Sequence, residues 1–294
     1  MTAPFWYGQT VGRRKYSKVF PLDAVSGLVF GFSLRRLRAT FADDAILLRR
    51  SSDNATAWFK FAASGSLDEA NIKAWCAGAS AYLVSWKCQF TGLIATNATA
   101  AAQPRLVNAG AMETMGGKPA LRFLGGQRLL LTITPTTLWN VSFGSVVVGR
   151  IDADAANDGN YFGFSTSGGS YRGGVRRNFT TATIGDISFT AGNSGVINAQ
   201  GPFPNPETTP HMIEFYMSAT ARAARRDGVA MTERSGSNSA PAVTGTQLII
   251  GANISTAGAT AWYEGHLGEM VVLGNCSDAD VAAAGATLRP AWGL

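Results

Sequence analysis

The stretch Gln247–Pro290 decides the fold class, and it falls into three pieces: QLIIGANIST (residues 247–256), AGATAWYEGHLGEMVVLG (257–274) and NCSDADVAAAGATLRP (275–290). The first piece is a short apolar run that stops at Gly251. The second alternates apolar and polar residues after a loop that holds adjacent aromatics. In the third piece, Ser277 predicts a helix N-cap, with Asp278 and Asp280 facing the positive end of the helix dipole. The stretch therefore predicts strand, loop, strand and short helix.

This order resembles the closing segment of jelly-roll domains of the concanavalin A and laminin-G types. The run Arg225–Val229 contains an Asp-Gly pair, which favours a tight hairpin of the kind that laminin-G-like domains place in mid-sheet. The resemblance implies an all-β fold. We expect a concanavalin A-like two-sheet jelly-roll sandwich with a few short helices and an extended N-terminal arm.

Composition agrees with many turns and short strands, since the 294 residues include 34 glycines and only 15% charged residues. No apolar run reaches the roughly 18–20 residues of a membrane span, and the start of the sequence lacks the apolar core of a secretory signal. The three cysteines (Cys76, Cys88 and Cys276) and two isolated histidines show no zinc-ligand spacing. We expect no metal site and no cofactor, and buried reduced thiols in a protein made in a cytoplasm, with a Cys76–Cys88 disulfide as the alternative.

Charge is concentrated at the start of the chain. Residues 1–50 hold nine Lys/Arg against three Asp/Glu, which accounts for the whole net charge of +6. We interpret residues 1–22 as an arm and residues 23–294 as one domain. The arm is predicted to bind an acidic partner surface or a neighbouring subunit through Phe5, Trp6, Tyr7, Arg13, Arg14 and Lys15. Packing back onto its own domain and a merely solvated surface stay open, and no nucleic-acid-binding motif accompanies the basic residues.

Local patterns predict the main elements after the arm. Leu34, Leu37 and Phe41 fall at helical spacing and predict a helix over residues 33–42. A hairpin is predicted from 45–50 and 56–61, and Ser66 to Glu69 form a capping box that opens a helix through Trp75. A buried strand is expected at 81–87, a long loop at 191–210, and further strands at 128–133, 145–151, 161–165, 171–177 and 211–219.

The run LRRLRATFADDAILLRRSSDNATAWFKFAASGSLDEANIKAWCAGASAYLVSWKCQFTG (34–92) resembles the opening of the α-L-arabinofuranosidase B catalytic family and of tailed-bacteriophage proteins that share it. An Arg-rich segment (Arg35–Arg38) and an Arg-Ser-Ser-Asp turn (50–53) match. The later Trp/Tyr-Asp-Gln-Ser-Gly segment is degraded, because Cys88 stands in place of the Asp while Gln89 remains. The resemblance covers roughly residues 30–125. It does not reach the catalytic carboxylates of the family, so none is assigned from it.

Glycoside hydrolysis needs two facing carboxyl groups, and the chain offers Asp152, Asp154, Asp158, Glu207, Glu214, Glu264 and Glu269. Sequence alone does not pair them, and solvated strand ends explain them equally well, so we predict no catalytic residue. Asp152, Asp154, Asn157 and Asp158 also have the oxygen ligands of a calcium site, although turn chemistry accounts for them too. His211 and His266 lack a nucleophile motif and are interpreted as ordinary sheet histidines.

Sugar binding needs an exposed aromatic platform beside polar groups. Trp262, Tyr263 and Glu264 are the candidate glycan contacts, with Trp139 as a further aromatic. A role of these rings in the core or in an interface is the alternative.

The sequence-based prediction is a non-enzymatic bacteriophage virion protein, either a capsid decoration or a tail-associated component. Its expected partners are other virion proteins and further copies of itself, with a host-surface glycan as a candidate ligand and no membrane. Its expected location is the virion. The alternatives are an arabinofuranosidase-like glycoside hydrolase and a carbohydrate-binding adhesin.

Overall fold

Antiparallel strands make up most of the molecule. The computed structural model describes residues 20–133, 141–152, 159–165, 171–178, 186–191, 195–200, 207, 209–237, 246–255, 258–260 and 262–294. The strands are β1 (Leu28–Ser33), β2 (Ile46–Arg50), β3 (Thr56–Phe59), β4 (Ala81–Lys87), β5 (Ile94–Thr96), β6 (Arg105–Asn108), β7 (Ala111–Met112), β8 (Thr114–Met115), β9 (Lys118–Pro119), β10 (Leu121–Leu124), β11 (Leu129–Thr132), β12 (Ser142–Ile151), β13 (Gly159–Ser165), β14 (Tyr171–Asn178), β15 (Asp186–Ala191), β16 (Gly195–Gln200), β17 (His211–Ser218), β18 (Arg222–Arg226), β19 (Val229–Ala230), β20 (Thr232–Ser237), β21 (Gln247–Ile250), β22 (Asn253–Ser255), β23 (Gly258–Thr260) and β24 (Glu264–Gly274).

The helices are few and short: α1 (Glu69–Cys76), α2 (Asp278–Leu288) and the 3₁₀ turns Ala100–Ala102 and Arg289–Ala291. The all-β sandwich predicted from the sequence is therefore confirmed. None of the described helices has the length and apolar character that crossing a bilayer requires.

Strand β24 is the centre of the first layer. Its one edge pairs with β12, which continues through β17 to β18, and its other edge pairs with β1 and then β10. The second layer runs β11–β21–β13–β14–β15–β16–β20. Strands β4, β5 and β6 connect the two layers, since β10 pairs with β6, β6 with β4, β4 with β5 and β5 with β11.

The main core lies between the layers. Side chains of β12 and β24 meet those of β13 and β21 there, and the rings of Phe143 and Phe164 touch edge to face with centroids 5.9 Å apart. Aromatic rings in this arrangement gain from the ring quadrupole as well as from the buried area.

The outer face of the first layer is also partly covered. Val271 and Leu273 of β24 point outward and pack with Val281 and Leu288 of α2 in a second apolar cluster. Ser277 caps this helix in a full capping box with Asp280, as the sequence predicts. Helix α2 thus covers the part of the outer face near Gly274. The part of the outer face near Glu264 lies beyond the helix and is not covered by it.

Two helical predictions need correction. Residues 33–42 form no helix, because backbone N–H groups there donate outside the segment: Arg36 to Gly65 O (2.7 Å) and Leu37 to Gln89 Oε1 (2.8 Å). These long-range bonds replace the ladder within a helix that the apolar spacing suggests. The helix after Ser66 exists, but Asp68 caps it, with Oδ1 accepting from Asn71 N–H.

The strand predictions fare better. The hairpin of β2 and β3 is confirmed, as are the Asp227–Gly228 turn and the strands at 81–87, 128–133, 145–151, 161–165, 171–177 and 211–219, within a few residues at their ends. The long loop predicted at 191–210 is wrong in part, because residues 195–200 form β16 between β15 and β20. Pairing on both edges gives the backbone groups of β16 their hydrogen-bond partners. The Gly- and Asn-rich sequence itself has little strand propensity and therefore did not predict this strand.

Residues 20–22 are the described part of the predicted arm, and the boundary after residue 22 stays a prediction. Phe20 and Leu22 are buried, so the part of the predicted arm that the structure describes packs on the domain. All three cysteines are free and buried, as expected for inert thiols.

Candidate functional site

Two carboxylates lie opposite each other where β12 and β24 emerge from the sheet. Ile151 is in register with Gly265, and the N–H of Asp152 donates to the carbonyl of Glu264 at 3.2 Å. Directly opposed residues on neighbouring strands have Cβ atoms about 5 Å apart and side chains on the same face. Asp152 and Glu264 therefore form a carboxylate pair on the outer face, beyond the part covered by α2.

Arginines from two strands hold Asp152. Nε of Arg150 donates to its Oδ1 at 2.5 Å, and Arg122 of β10 forms an ion pair with its Oδ2. In the backbone register of β10 and β6, Arg122 lies opposite Arg105. Strand alternation explains this convergence, since Arg122 and Arg150 each lie between buried apolar residues and so point outward.

His266 connects this pair to a third carboxylate. Its Nδ1 lies 3.1 Å from Nη2 of Arg150 and also contacts Asp152, and its Nε2 lies 3.5 Å from Oε2 of Glu113. Burial lowers the pKa of His266, and the charges of Arg150 and Arg122 lower it further against the opposing effect of Glu113. The imidazole is therefore neutral at pH 7.

The charges of the cluster balance. Burial raises the pKa of Glu113, but hydrogen bonds from His266 and Arg105 outweigh it and the net direction is downward. Burial lowers the pKa of the Arg122 guanidinium, opposed first by the charge of Glu264. Arg122 thus interacts electrostatically with both carboxylates of the pair, with Asp152 in an ion pair and with Glu264 through its charge. Three arginines face three carboxylates around one neutral histidine, all partly shielded from water.

A buried polar network supports the site from the core side. The hydroxyl of Tyr263 lies 2.7 Å from the carbonyl of His266 and accepts from Arg150 N–H at 3.2 Å. Its complete burial raises its pKa well above the ordinary value. Oε2 of Glu207 accepts from Ile151 N–H at 2.7 Å and lies 3.0 Å from Nδ1 of His211. These bonds fix the backbone that carries Asp152 and Glu264.

The other predicted carboxylates serve elsewhere. Glu207 is in the supporting network just described, Glu214 is buried under α2, and Glu269 is buried against Arg35. Asp154, Asn157 and Asp158 lie outside the described residues. Within the described part of the chain, no group of three or more His, Cys, Asp or Glu side chains is placed to hold a metal ion.

The structure places the candidate glycan contacts in different environments. Tyr263 is fully buried with its hydroxyl bonded to backbone, so its assignment to an exposed sugar platform is wrong. Trp262 is partly exposed with Arg128 over its ring at 5.5 Å, and its role as a sugar contact stays a prediction. Trp139 lies outside the described residues. So do the arm residues Phe5, Trp6, Tyr7, Arg13, Arg14 and Lys15, and the docking of the arm stays a prediction.

Sequence reasoning missed Glu113, Arg105, Arg122 and Arg150, and it interpreted His266 as an ordinary sheet histidine. The one available signal was a charged residue flanked by apolar neighbours, as in ALRF (120–123) and VGRID (148–152). That pattern predicts an outward-facing charge on a strand, but it gives no information about which strands are neighbours.

Comparison with known proteins identifies related folds. No protein-family model matches the chain, and no curated protein matches it. Solved structures do match: an arabinofuranosidase complexed with arabinofuranosyl-α-1,2-xylobiose (TM-score 0.67, 16% identity, 90% of this chain and 63% of that chain) and a mutant GH54 α-L-arabinofuranosidase soaked with 4-nitrophenyl α-L-arabinofuranoside (TM-score 0.68, 15% identity, 90% and 63%). A Trypanosoma rangeli sialidase aligns with a TM-score of 0.52 at 12% identity, over 92% of this chain and 34% of that chain. At these identities the match shows the fold.

These comparisons correct the functional prediction. The prediction of a non-enzymatic bacteriophage virion protein is contradicted, because the structures named above are β-sandwich glycoside hydrolases. The chain spans about 63% of the length of the arabinofuranosidases that it matches. The expected homo-oligomer, host glycan and virion location stay predictions.

Proposed function

We propose that the protein is a glycoside hydrolase acting on arabinofuranoside-type glycans. The observation that carries the proposal is the opposition of Asp152 and Glu264 across β12 and β24, outside the cover of α2. Glycosidases work with two carboxyl groups about 5–9.5 Å apart on either side of the scissile bond. Directly opposed residues on one sheet face can supply that spacing.

Different surroundings divide the two roles. Asp152 is paired with Arg122 and Arg150, so it is the carboxylate whose negative charge would stabilise an oxocarbenium-like transition state. Among the described residues, none forms an ion pair with Glu264, which lies over the turn at Gly125 and is partly exposed. Glu264 is therefore the candidate proton donor to the leaving-group oxygen. Neutral His266 keeps the guanidinium of Arg150 in place, and Trp262 is the proposed contact for a sugar ring.

The substrate class is proposed from the fold likeness. Arabinofuranosidases share the fold over 90% of this chain, and the opening segment resembles the same family. The sialidase likeness is the weaker of the two, with a lower TM-score and a smaller share of the matched chain.

The test is turnover of aryl α-L-arabinofuranosides, beside a panel of other aryl pentosides, hexosides and sialosides. We expect release of the aryl alcohol by the parent protein. Asp152→Asn and Glu264→Gln should each reduce kcat/KM by about 10²–10⁴-fold, as removal of a catalytic carboxyl group does. Asp44→Asn, a half-exposed carboxylate paired with Lys60, is the matched control and should leave turnover unchanged. Absence of turnover across the panel, or turnover that survives both substitutions, would overturn the proposal.

A further inference from the structure

An arginine without an ion pair lies beside Glu264, the proposed proton donor. The three arginines of the site described above, Arg105, Arg122 and Arg150, each pair with a carboxylate. The guanidinium of Arg128 has no ion-pair or hydrogen-bond partner within the part of the chain that the structure describes. Arg128 therefore contributes a positive charge that this site does not neutralise.

The turn between β10 and β11 brings Arg128 to the Glu264 side of the carboxylate pair. Leu124 is in register with Glu264, and a Cβ at Gly125 would lie 3.4 Å from Oε2 of Glu264. Gln127 closes the turn, with its Oε1 accepting from the N–H of Leu124 at 2.5 Å. The turn thus lies along the proposed proton donor, and Arg128 follows directly at its end.

Arg128 is held in place by its backbone and by an aromatic ring. Its N–H donates to the carbonyl of Ala102 at 3.0 Å, and its carbonyl accepts from Nδ2 of Asn97 at 2.8 Å. Its guanidinium carbon lies 5.5 Å from the centroid of the Trp262 ring, and Trp262 precedes Glu264 by two residues. A cation–π contact of this kind orients the guanidinium, so less side-chain entropy is lost when a ligand binds to it.

The accessible end of Arg128 selects the charge of its ligand. Nε is enclosed, but the side chain as a whole is partly exposed, so the donors that a ligand can reach are the two terminal nitrogens. Parallel N–H donors in one plane match the two oxygens of a carboxylate, and a charge-assisted bond of this kind is stronger than a bond to a neutral hydroxyl. The group that fits here is therefore a carboxylate.

The proposed roles of the pair decide which part of the substrate meets Arg128. Because Glu264 is the proposed donor to the leaving-group oxygen, the leaving group lies on the Glu264 side. Trp262 is at most about 7 Å from Glu264 along the chain. The unit directly beyond the scissile bond therefore lies close to Trp262 and to the guanidinium stacked on it.

We propose that Arg128 is a specificity-determining residue that binds a carboxylate in the leaving group. The substrate is then an acidic glycan, with a uronic-acid-type unit next to the cleaved arabinofuranoside. This inference rests on the proposed function, since hydrolysis at Asp152 and Glu264 defines which part of the substrate leaves. It adds recognition of charge, which the likeness of fold does not address.

The test compares two aryl α-L-arabinofuranosides whose leaving groups have nearly the same shape: 4-carboxyphenol, with an anionic substituent, and 4-carbamoylphenol, which is neutral. We expect kcat/KM of the parent to favour the carboxylate about threefold to tenfold at low ionic strength, and less in high salt, because the contact is partly exposed. Arg128→Gln should reduce this ratio to about one by losing activity on the carboxylate substrate alone. Arg128→Lys keeps the charge and should retain part of the preference.

Arg38→Gln is the matched control. The guanidinium carbon of Arg38 lies 5.4 Å from the centroid of the Phe90 ring, and its Nε is likewise enclosed without a partner among the described residues. Phe90 rests on Gly31 of β1, which is opposite Val271 and therefore seven residues along β24 from Glu264. Arg38→Gln should leave the ratio of the two kcat/KM values unchanged.

Three kinetic results would overturn the inference while leaving hydrolysis itself intact. They are a ratio near one in the parent, a ratio that Arg128→Gln does not change, and a stronger preference for a 4-sulfophenyl leaving group than for the carboxylate. If circular dichroism shows that Arg128→Gln does not fold, Arg128→Met replaces it, because methionine keeps the apolar stem that covers Trp262.

Absence of turnover of both glycosides would instead count against the proposed function, and binding then decides the inference. Isothermal titration calorimetry with the same two glycosides should show tighter binding of the carboxylate by the parent, and equal binding of both by Arg128→Gln. Equal affinity of the parent for both glycosides, or no binding up to roughly 50 mM, would overturn recognition of a carboxylate by Arg128.

Discussion

The two ends of β24 place the same outer sheet face in opposite environments. Toward Gly274, Val271 and Leu273 lie under α2 in an apolar cluster. Toward Glu264, the outward residues are Glu264 and His266, surrounded by Arg122, Arg150 and Asp152 and partly open to solvent. Alternation within one strand therefore does not decide function. What decides function is whether a helix covers the sheet face, since a covered charged group is excluded from contact with water and ligand.

The largest expected effect tests the covered end. Leu288 is fully buried between α2 and the sheet. Leu288→Ala should lower the free energy of unfolding by about 2–5 kcal/mol, because it removes buried methyl groups and leaves a cavity. Urea denaturation measures this loss.

Thr287→Ala is the matched control on the exposed side of α2 and should change stability by no more than about 0.5 kcal/mol. A loss below about 1 kcal/mol in Leu288→Ala would contradict the sealing role of α2.

The next effect compares two glutamates of the same strand. Glu269→Gln keeps the shape of a fully buried side chain but removes the charge that Arg35 and Ser33 bind. We expect a loss of about 1–3 kcal/mol in unfolding free energy, since a buried charge-assisted hydrogen bond is lost. Arg35 is 24% exposed, which places the loss in the lower part of that range. Glu264→Gln, at the open end, should change stability by less than about 0.5 kcal/mol. Equal losses in the two variants would show that the ends do not differ.

A smaller effect concerns the start of α2. Ser277→Ala removes the side-chain oxygen that accepts from Asp280 N–H at 3.2 Å and ends the capping box. The expected cost is about 1 kcal/mol, measured as a shift of the urea midpoint. Ser52→Ala, at an exposed turn, should leave the midpoint unchanged, and a midpoint shift of equal size there would remove the capping explanation.

The smallest effect is a pH slope from Glu214, which lies under α2 with Arg289 at 2.9 Å. Burial raises the pKa of Glu214 above its ordinary value of 4.5, although Arg289 and Arg225 oppose the rise. The folded state therefore binds the proton more tightly than the unfolded state, and stability from this group is lost as pH rises from 4.5 through the folded pKa.

Glu214→Gln does not titrate, so its stability relative to the parent should increase with pH in that window. The slope of the difference is at most about 1.4 kcal/mol per pH unit. Thr287→Ala should run parallel to the parent at every pH. A difference that decreases with rising pH would reverse the sign assigned to Glu214.

Much of the fold could be predicted because its signals are local. Alternation after residue 264 marked β24, the Asp227–Gly228 pair marked a hairpin, and Ser277 marked the start of α2. The failures are segments whose backbone bonds are long-range. Residues 33–42 have helical spacing but bind Gly65 and Gln89, and residues 195–200 read as a loop until β15 and β20 pair with them.

The candidate site was predictable only in its parts. Asp152 and Glu264 appeared among seven candidate carboxylates, but 112 positions of chain separate them and sequence does not measure such a distance in space. For Tyr263, beside Glu264, the sequence left a sugar contact and a core role both open, because an aromatic in a loop-like stretch carries no sign of which side it faces. Its burial follows from packing against Phe123 and Tyr161.

The sequence by itself determined most of the strands and turns and the cap of the closing helix, because residues close in the chain set strand, turn and helix preferences. The two-sheet fold class was what the resemblance of the closing stretch implied. Tertiary structure alone decided which charged residues meet. Pairing of β10, β24 and β12 brings Arg122, His266 and Arg150 side by side. Register and coverage are properties of neighbouring strands and helices, so no single segment encodes them.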